Sequence, residues 1–183
     1  MSELGSAPPS HHPAISLEAA VALTGRSRRT WWRRIEAGAV TKLPPDARGR
    51  TMLAFGEVRA AIALVLDDQE ADAIVRADAG QASAQAQVGA MFALAALTAL
   101  TAVSGDEPQS VARGGGGAAV YWLQLAAAQN DADAMHWLGM LHAAGYGGSD
   151  NHEHLALMWI AKAAAQGHQI AREQLATLRG QRR

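Results

Sequence analysis

The chain contains no cysteine, which excludes disulfides, thiol nucleophiles and thiolate metal sites and leaves the redox compartment open. Its opening residues, Met1-Ser-Glu-Leu-Gly-Ser-Ala-Pro-Pro-Ser, hold no basic stretch followed by an apolar one, so no secretory signal is predicted. Consecutive apolar residues fall short of the about 18 that a membrane span needs, since the stretch 90–103 is short and mostly alanine. The expectation is a cytoplasmic protein. Serine is scarce outside caps and loops, and no histidine has an evident carboxylate partner, so no catalytic triad is predicted. Arg113-Gly-Gly-Gly-Gly117 is followed by no Gly-Lys-Ser/Thr and preceded by no strand, which excludes a phosphate loop and leaves flexible punctuation. His11-His12 lies in a polar lead, and His152-x-His154 lies in a loop beside Glu153 and Asp150; both read as solvated, because a metal needs converging ligands. His136 and His142 are six residues apart on one helix and do not face each other. No enzyme, cofactor or metal is expected.

What is present is a charge split hidden inside a net charge of −1 over 183 residues. Residues 1–65 hold nine basic and five acidic residues, a balance of +4, and residues 66–183 hold seven against twelve, or −5. One or two small domains are allowed at this length, and the asymmetry suggests two parts with different partners, the basic one facing a polyanion.

The stretch 119–167 contains a repeat. Ala-Val-Tyr-Trp-Leu-Gln-Leu-Ala-Ala-Ala-Gln (119–129) aligns with Ala-Leu-Met-Trp-Ile-Ala-Lys-Ala-Ala-Ala-Gln (156–166) at an offset of 37, and Ala134, Leu138 and Leu141 align with Ala171, Leu175 and Leu178 at the same offset. A period of this size marks stacked two-helix units. In each copy the apolar positions fall at i, i+3, i+4 and i+7, one stripe of an amphipathic helix that a neighbour must cover. The segment 84–92 aligns with 134–142 at an offset of 50, so the first unit carries about thirteen extra residues between its helices. Part of that excess extends a helix over 94–103, and 104–110 reads as exposed loop. Ala134-Met-His-Trp-Leu-Gly139, Gly145-Tyr-Gly147, Leu155-Ala-x-x-Trp159 and Lys162-Ala-Ala-Ala-Gln-Gly167 together resemble a Sel1-like repeat, a relative of the tetratricopeptide repeats. That resemblance implies an α-solenoid that binds other proteins.

Toward the N-terminus, residues 1–14 read as a disordered tail. Ser16 is a helix N-cap with Leu17, Ala20 and Val21 behind it, and Gly25 stops that helix. Ser27 caps a second helix, Arg28-Arg-Thr-Trp-Trp-Arg-Arg-Ile-Glu, which ends at Gly38. Two short helices around a tight turn containing glycine form a helix-turn-helix pattern. Arg28 and Arg29 oppose the helix dipole at a cost of about 0.3–1 kcal/mol each, an arrangement that suits a phosphate neighbour. Trp31 and Ile35 can face a core together, whereas Trp32 lies toward the other side, where it either donates its indole N–H to a phosphate or caps the small domain's core. Strand-like pieces at 40–43 and 51–54 flank a Pro-Asp-Gly turn bearing Arg48 and Arg50, a hairpin wing. A helix begins at Phe55, and 60–79 reads as one long helix with the domain boundary near Leu66. Residues 15–62 resemble the winged helix-turn-helix domains of the excisionase and MerR-like group through Ile-Ser-Leu-Glu-Ala-Ala (15–20), Leu-Thr-Gly-Arg-Ser-Arg-Arg-Thr (23–30), Glu-Ala-Gly (36–38), the wing and Phe-Gly-Glu-Val (55–58). Pro44-Pro45 in the wing and tryptophans in the second helix depart from that pattern.

The expected fold is mainly α: a disordered tail over 1–14, a winged helix-turn-helix over 15–66, and over 67–183 a short α-solenoid of about two Sel1-like helical hairpins with capping helices and a long insertion at 93–117. The expected function is a DNA-binding regulator or architectural factor. Arg28, Arg29, Trp32 and Arg33 would enter or border the major groove, Arg48 and Arg50 would contact backbone or minor groove, and Arg26, Arg34 and Lys42 would add phosphate contacts. The repeats would recruit a protein partner or form a homodimer. The alternative is a protein-only adaptor whose basic face meets an acidic protein.

Overall fold

The computed structural model describes residues 13–102, 110–146 and 151–180. Strand β1 (Ala14–Ser16) runs directly into helix α1 (Leu17–Thr24), because the Ser16 hydroxyl accepts the Ala19 N–H at 3.1 Å and caps the helix. Gly25 ends α1 in the left-handed region, and Ser27 then caps α2 (Arg28–Glu36) by accepting from the Thr30 N–H. Trp31 is the one fully buried residue of α2. Strands β2 (Lys42–Leu43) and β3 (Met52–Ala54) pair antiparallel, as their spacing predicts, and β3 is also the partner of β1. In this β1-β3-β2 sheet Ile15 and Lys42 both stand opposite Leu53. Ala14 therefore belongs to a strand and not to the tail expected over 1–14. A three-residue strand is too short for period-two alternation to announce it.

Helix α3 (Phe55–Arg59) is brief, and the single helix expected over 60–79 is not formed. Helix α4 (Asp68–Asp78) starts afresh at an Asp67 cap, whose carboxylate accepts the Glu70 N–H at 2.8 Å while Glu70 returns a bond to the Asp67 N–H at 2.9 Å. This capping box, with Asp68 beside it, places three acidic residues where the positive end of a helix dipole favours them. A continuous helix would have buried that preference in its middle. The Arg59 guanidinium spans the break, donating to the Leu66 carbonyl and lying 3.1 Å from Asp68.

Helices α5 (Ala82–Ala102), α6 (Ser110–Ala127), α7 (Ala132–Ala143), α8 (His152–Ala165) and α9 (Gln169–Gly180) follow, each packed on its predecessor from α4 onward. Within the α5–α6 and α7–α8 pairs one contact recurs at the repeat offsets. A Cβ added to Gly89 would lie 2.5 Å from Leu123 Cγ, and one added to Gly139 would lie 2.7 Å from Ile160 Cγ1. Both hairpins close at a glycine because nothing larger admits the facing aliphatic side chain. Gly139→Ala is accordingly expected to destabilise the chain by about 1–2 kcal/mol, the overpacking cost exceeding the gain in helix propensity. Urea unfolding measures it, and a stability gain would mean that the α7–α8 contact yields freely.

The tetraglycine run is helical, lying inside α6, and is not the punctuation expected before that helix. Weak propensity is overridden by packing at Gly116, where an added Cβ would come within 2.3 Å of the Tyr146 ring. Tyr146 in turn donates its hydroxyl to the Ala96 carbonyl at 2.9 Å. The extra residues of the first hairpin thus lengthen both its helices, while 103–109 lie outside the described residues. By length and composition the stretch 82–100 of α5 would also pass as a membrane span, against the expectation from 90–103. It packs on α4, α6 and α7 and buries Val88, Phe92, Ala93 and Ala96.

One apolar cluster runs from Ile15 and Trp31 through Ile74, Trp122 and Leu138 to Ala171. A polar tie crosses it. The buried Asp78 carboxylate at the end of α4 accepts the Ser16 N–H at 2.8 Å, the Ser16 hydroxyl at 2.6 Å and Arg50 Nη1 at 2.8 Å. The strand, the β2–β3 turn and α4 are thereby fixed to one another.

Candidate nucleic-acid interface

Helix α2 lays its tryptophans on opposite sides. Trp31 is 0% exposed and Trp32 36%, so the buried ring docks the helix and the other borders solvent. Arg29 and Arg33, i and i+4, flank Trp32 on the outward face, and Arg26 stands in the turn before the helix. All three arginines are exposed, and none has a side-chain partner among the described residues. Around them residues 17–43 hold six basic residues against Glu18 and Glu36, a local balance of +4. Unpaired guanidiniums on a solvent face attract and orient anions, and their rigid forks fit phosphate oxygens two at a time.

The other candidate residues are engaged within the chain. Arg28 forms an ion pair with Glu18 of α1, which offsets the cost of a cation in the first turn of α2. Arg34 is half-buried with its guanidinium carbon 5.7 Å from the Trp31 ring centre, and Lys42 Nζ lies 5.4 Å from the centre of the Trp32 ring. These cation–π contacts keep Arg34 under the helix and hold Lys42 beside the exposed indole. Trp32, Arg29, Arg33 and Lys42 consequently form one surface.

Arg48 and Arg50, expected on an outward wing, turn back onto α4. Arg50 Nε donates to Asp46 at 2.8 Å and its Nη1 to Asp78 at 2.8 Å, while Arg48 reaches the Ala79 carbonyl at 3.5 Å. The hydrogen bond from the Arg50 side chain, aided by its backbone N–H, holds the Asp46 carboxyl below the usual carboxylate range. Asp46 was legible as an i,i+4 partner of Arg50. Asp78, 28 residues away, carried no local signal.

A second polar cluster joins α7 to α9 and to His168, the residue just before α9. The His136 and His168 rings stack at 4.2 Å, with Gln174 3.2 Å from His136 Nε2 and Asp133 3.5 Å from His168 Nε2. Burial, and then His168, push the His136 imidazole below its ordinary range. Among the described residues no three His, Asp or Glu side chains converge as metal ligands. His11, His12 and Asp150 lie outside the described residues, as do 104–109 of the expected loop.

No family model, curated protein or solved structure matches this chain.

Proposed function

We propose that the chain binds a nucleic-acid phosphate backbone through α2, and that residues 15–66 are a winged helix-turn-helix of the excisionase and MerR-like kind. In this reading 67–183 form a short solenoid of Sel1-like hairpins, α5–α6 and α7–α8, with α4 and α9 as caps. The solenoid recruits a protein partner or a second copy, and the chain is cytoplasmic. The observation that carries the nucleic-acid role is the unpaired triplet Arg26, Arg29 and Arg33 around an exposed indole. Three unneutralised guanidiniums on one small face have no intramolecular purpose, whereas the phosphate backbone supplies both their charge and their geometry. Trp32 lies where its N–H can reach a phosphate.

The protein-only adaptor has one observation in its favour: Arg50 is paired with Asp46 and Asp78 inside the chain and the exposed Arg48 turns toward the Ala79 carbonyl, so the turn offers one unneutralised charge and not two. Contact with double-stranded DNA then rests mainly on Arg26, Arg29, Arg33 and Lys42, a footprint of about four phosphates. For that footprint log K falls against log salt with a slope of about −3.6. Fluorescence anisotropy of a labelled random-sequence duplex across a salt series tests the reading. Arg29→Ala/Arg33→Ala is expected to flatten the slope by about two units and to leave thermal stability unchanged. Absence of binding at low salt would favour the adaptor and direct attention to the repeat surface.

A further inference from the structure

Helices α7 and α9 open with the same hydrogen bond made by different chemistry. Before α7 the Asp131 carboxylate accepts the Ala134 N–H at 2.8 Å. At the repeat offset of 37, His168 stands in the place of Asp131 and Ala171 in that of Ala134, and His168 Nδ1 accepts the Ala171 N–H at 3.2 Å. Each side chain satisfies a backbone donor that the first turn of a helix leaves without an intrahelical partner. A carboxylate goes on accepting throughout the range in which imidazole titrates, whereas an imidazole accepts only while that nitrogen keeps its lone pair. Nε2 of His168 lies 3.5 Å from the Asp133 carboxylate, so the neutral Nε2–H tautomer suits both neighbours. A second proton enters only at Nδ1, where it faces the Ala171 donor and sets a positive charge on the positive end of the α9 dipole. It also lands beside His136, whose ring stacks at 4.2 Å and whose imidazole is held below its ordinary range by burial and then by His168. Since the His136 value is depressed in the folded chain, the stability at stake is present above about pH 6.5 and is lost as pH falls. Asp133, the acidic neighbour, is 80% exposed, so water screens it. Gln174 meets His136 without charge, and Glu173 accepts from Gln169. Arg172 donates Nε to the Ala164 carbonyl at 3.1 Å, and Lys162 of α8 lies over the Trp159 ring.

We infer that α9 is an acid-released helix: a proton on His168 removes the hydrogen bond that opens α9 and charges the stacked pair, so α9 loosens from α8 while α7, opened by Asp131, stays in place. Helix α9 packs on α8, with Ala163, Ala164 and Ala171 buried, so its release bares apolar surface at that end of the chain. Neither Arg29 nor Arg33 takes part, and the device stands apart from the nucleic-acid reading. Hydrogen–deuterium exchange of the full chain at about pH 7.5 and about pH 5.5, corrected for intrinsic rates and read by peptide mass, tests it. Protection of the α9 amides is expected to fall about tenfold more than that of the α7 amides, the size of a lost cap. Asparagine caps a helix without titrating, so His168→Asn keeps α9 protected in acid. At the other end of α7, burial and then His152 push the buried His142 below its ordinary range, and His168→Asn leaves any acid effect there in place. The difference between the two proteins at α9 therefore isolates His168. The proposal is overturned if α9 is already unprotected at about pH 7.5, if its protection holds in acid or falls no further than that of α7, or if the unaltered chain and His168→Asn lose it alike.

Discussion

Replacing Asp78 by alanine is expected to cost about 3–5 kcal/mol, the range for removing one partner of a buried ion pair. The Asp78 side chain is 4% exposed and that of Arg50 24%, so the guanidinium keeps Asp46 but loses its inner partner. The same change leaves the Ser16 N–H, inside a residue 0% exposed, with no acceptor, and an orphaned buried donor adds its own desolvation cost. Marginal stability of about 5–15 kcal/mol makes a loss of that size close to unfolding. Urea denaturation gives the value, and an Asp78/Arg50 double-mutant cycle separates the ion pair from the bonds to Ser16. A loss under about 1 kcal/mol would mean that water replaces the carboxylate and that the tie is peripheral.

The second large effect is expected at Trp31. Truncation to alanine empties the space of a ring that is 0% exposed and is the one fully buried residue of α2. Phe or Trp to Ala in a core costs about 3–5 kcal/mol. No hydrogen bond contributes, because the Trp31 Nε1 has no partner, so Trp31→Phe should retain most of the stability that Trp31→Ala loses. Trp32→Ala supplies the contrast: at 36% exposure it is expected to move stability by less than about 1 kcal/mol, while releasing Lys42 from its ring. Chemical denaturation monitored by circular dichroism ranks the three. Equal losses at Trp31 and Trp32 would contradict the orientation of α2.

The sequence was most informative where local chemistry decides local structure. Ser16, Gly25, Ser27 and Gly38 punctuate α1 and α2 as their types dictate, and the division between Trp31 and Trp32 follows from helical spacing alone. The offset between helical phrases also found the pairs Gly89/Leu123 and Gly139/Ile160 indirectly, since all four occupy aligned positions. Failures came where a distant partner decides. The glycines of α6 argue for a loop until Tyr146 is placed against Gly116. Asp67, Asp68, Glu70, Asp72 and Asp78 read as the solvated face of a long helix, although Asp67 and Glu70 begin a new one and Asp78 is buried against Ser16 and Arg50. Arg48 and Arg50 look like outward wing charges until Asp78 and the Ala79 carbonyl are brought beside them. For the candidate interface, residue type and helix face were legible, but which arginines remain unpaired was not, because pairing is a tertiary property.

The tie among Ser16, Arg50 and Asp78 has a mechanical consequence. Two modules joined by a supple tether explore each other's surroundings statistically, and a cargo carried by one meets the target of the other at an effective concentration set by tether length. Here the chain between α3 and α4 bears no such freedom, because hydrogen bonds and a shared apolar core clamp the segments on either side of it. A partner docked on α5–α9, as proposed above, would be held at a set bearing from the outward face of α2. Reach is then a matter of leverage and angle, and a companion of the wrong shape is excluded by direction even when its contacts are favourable.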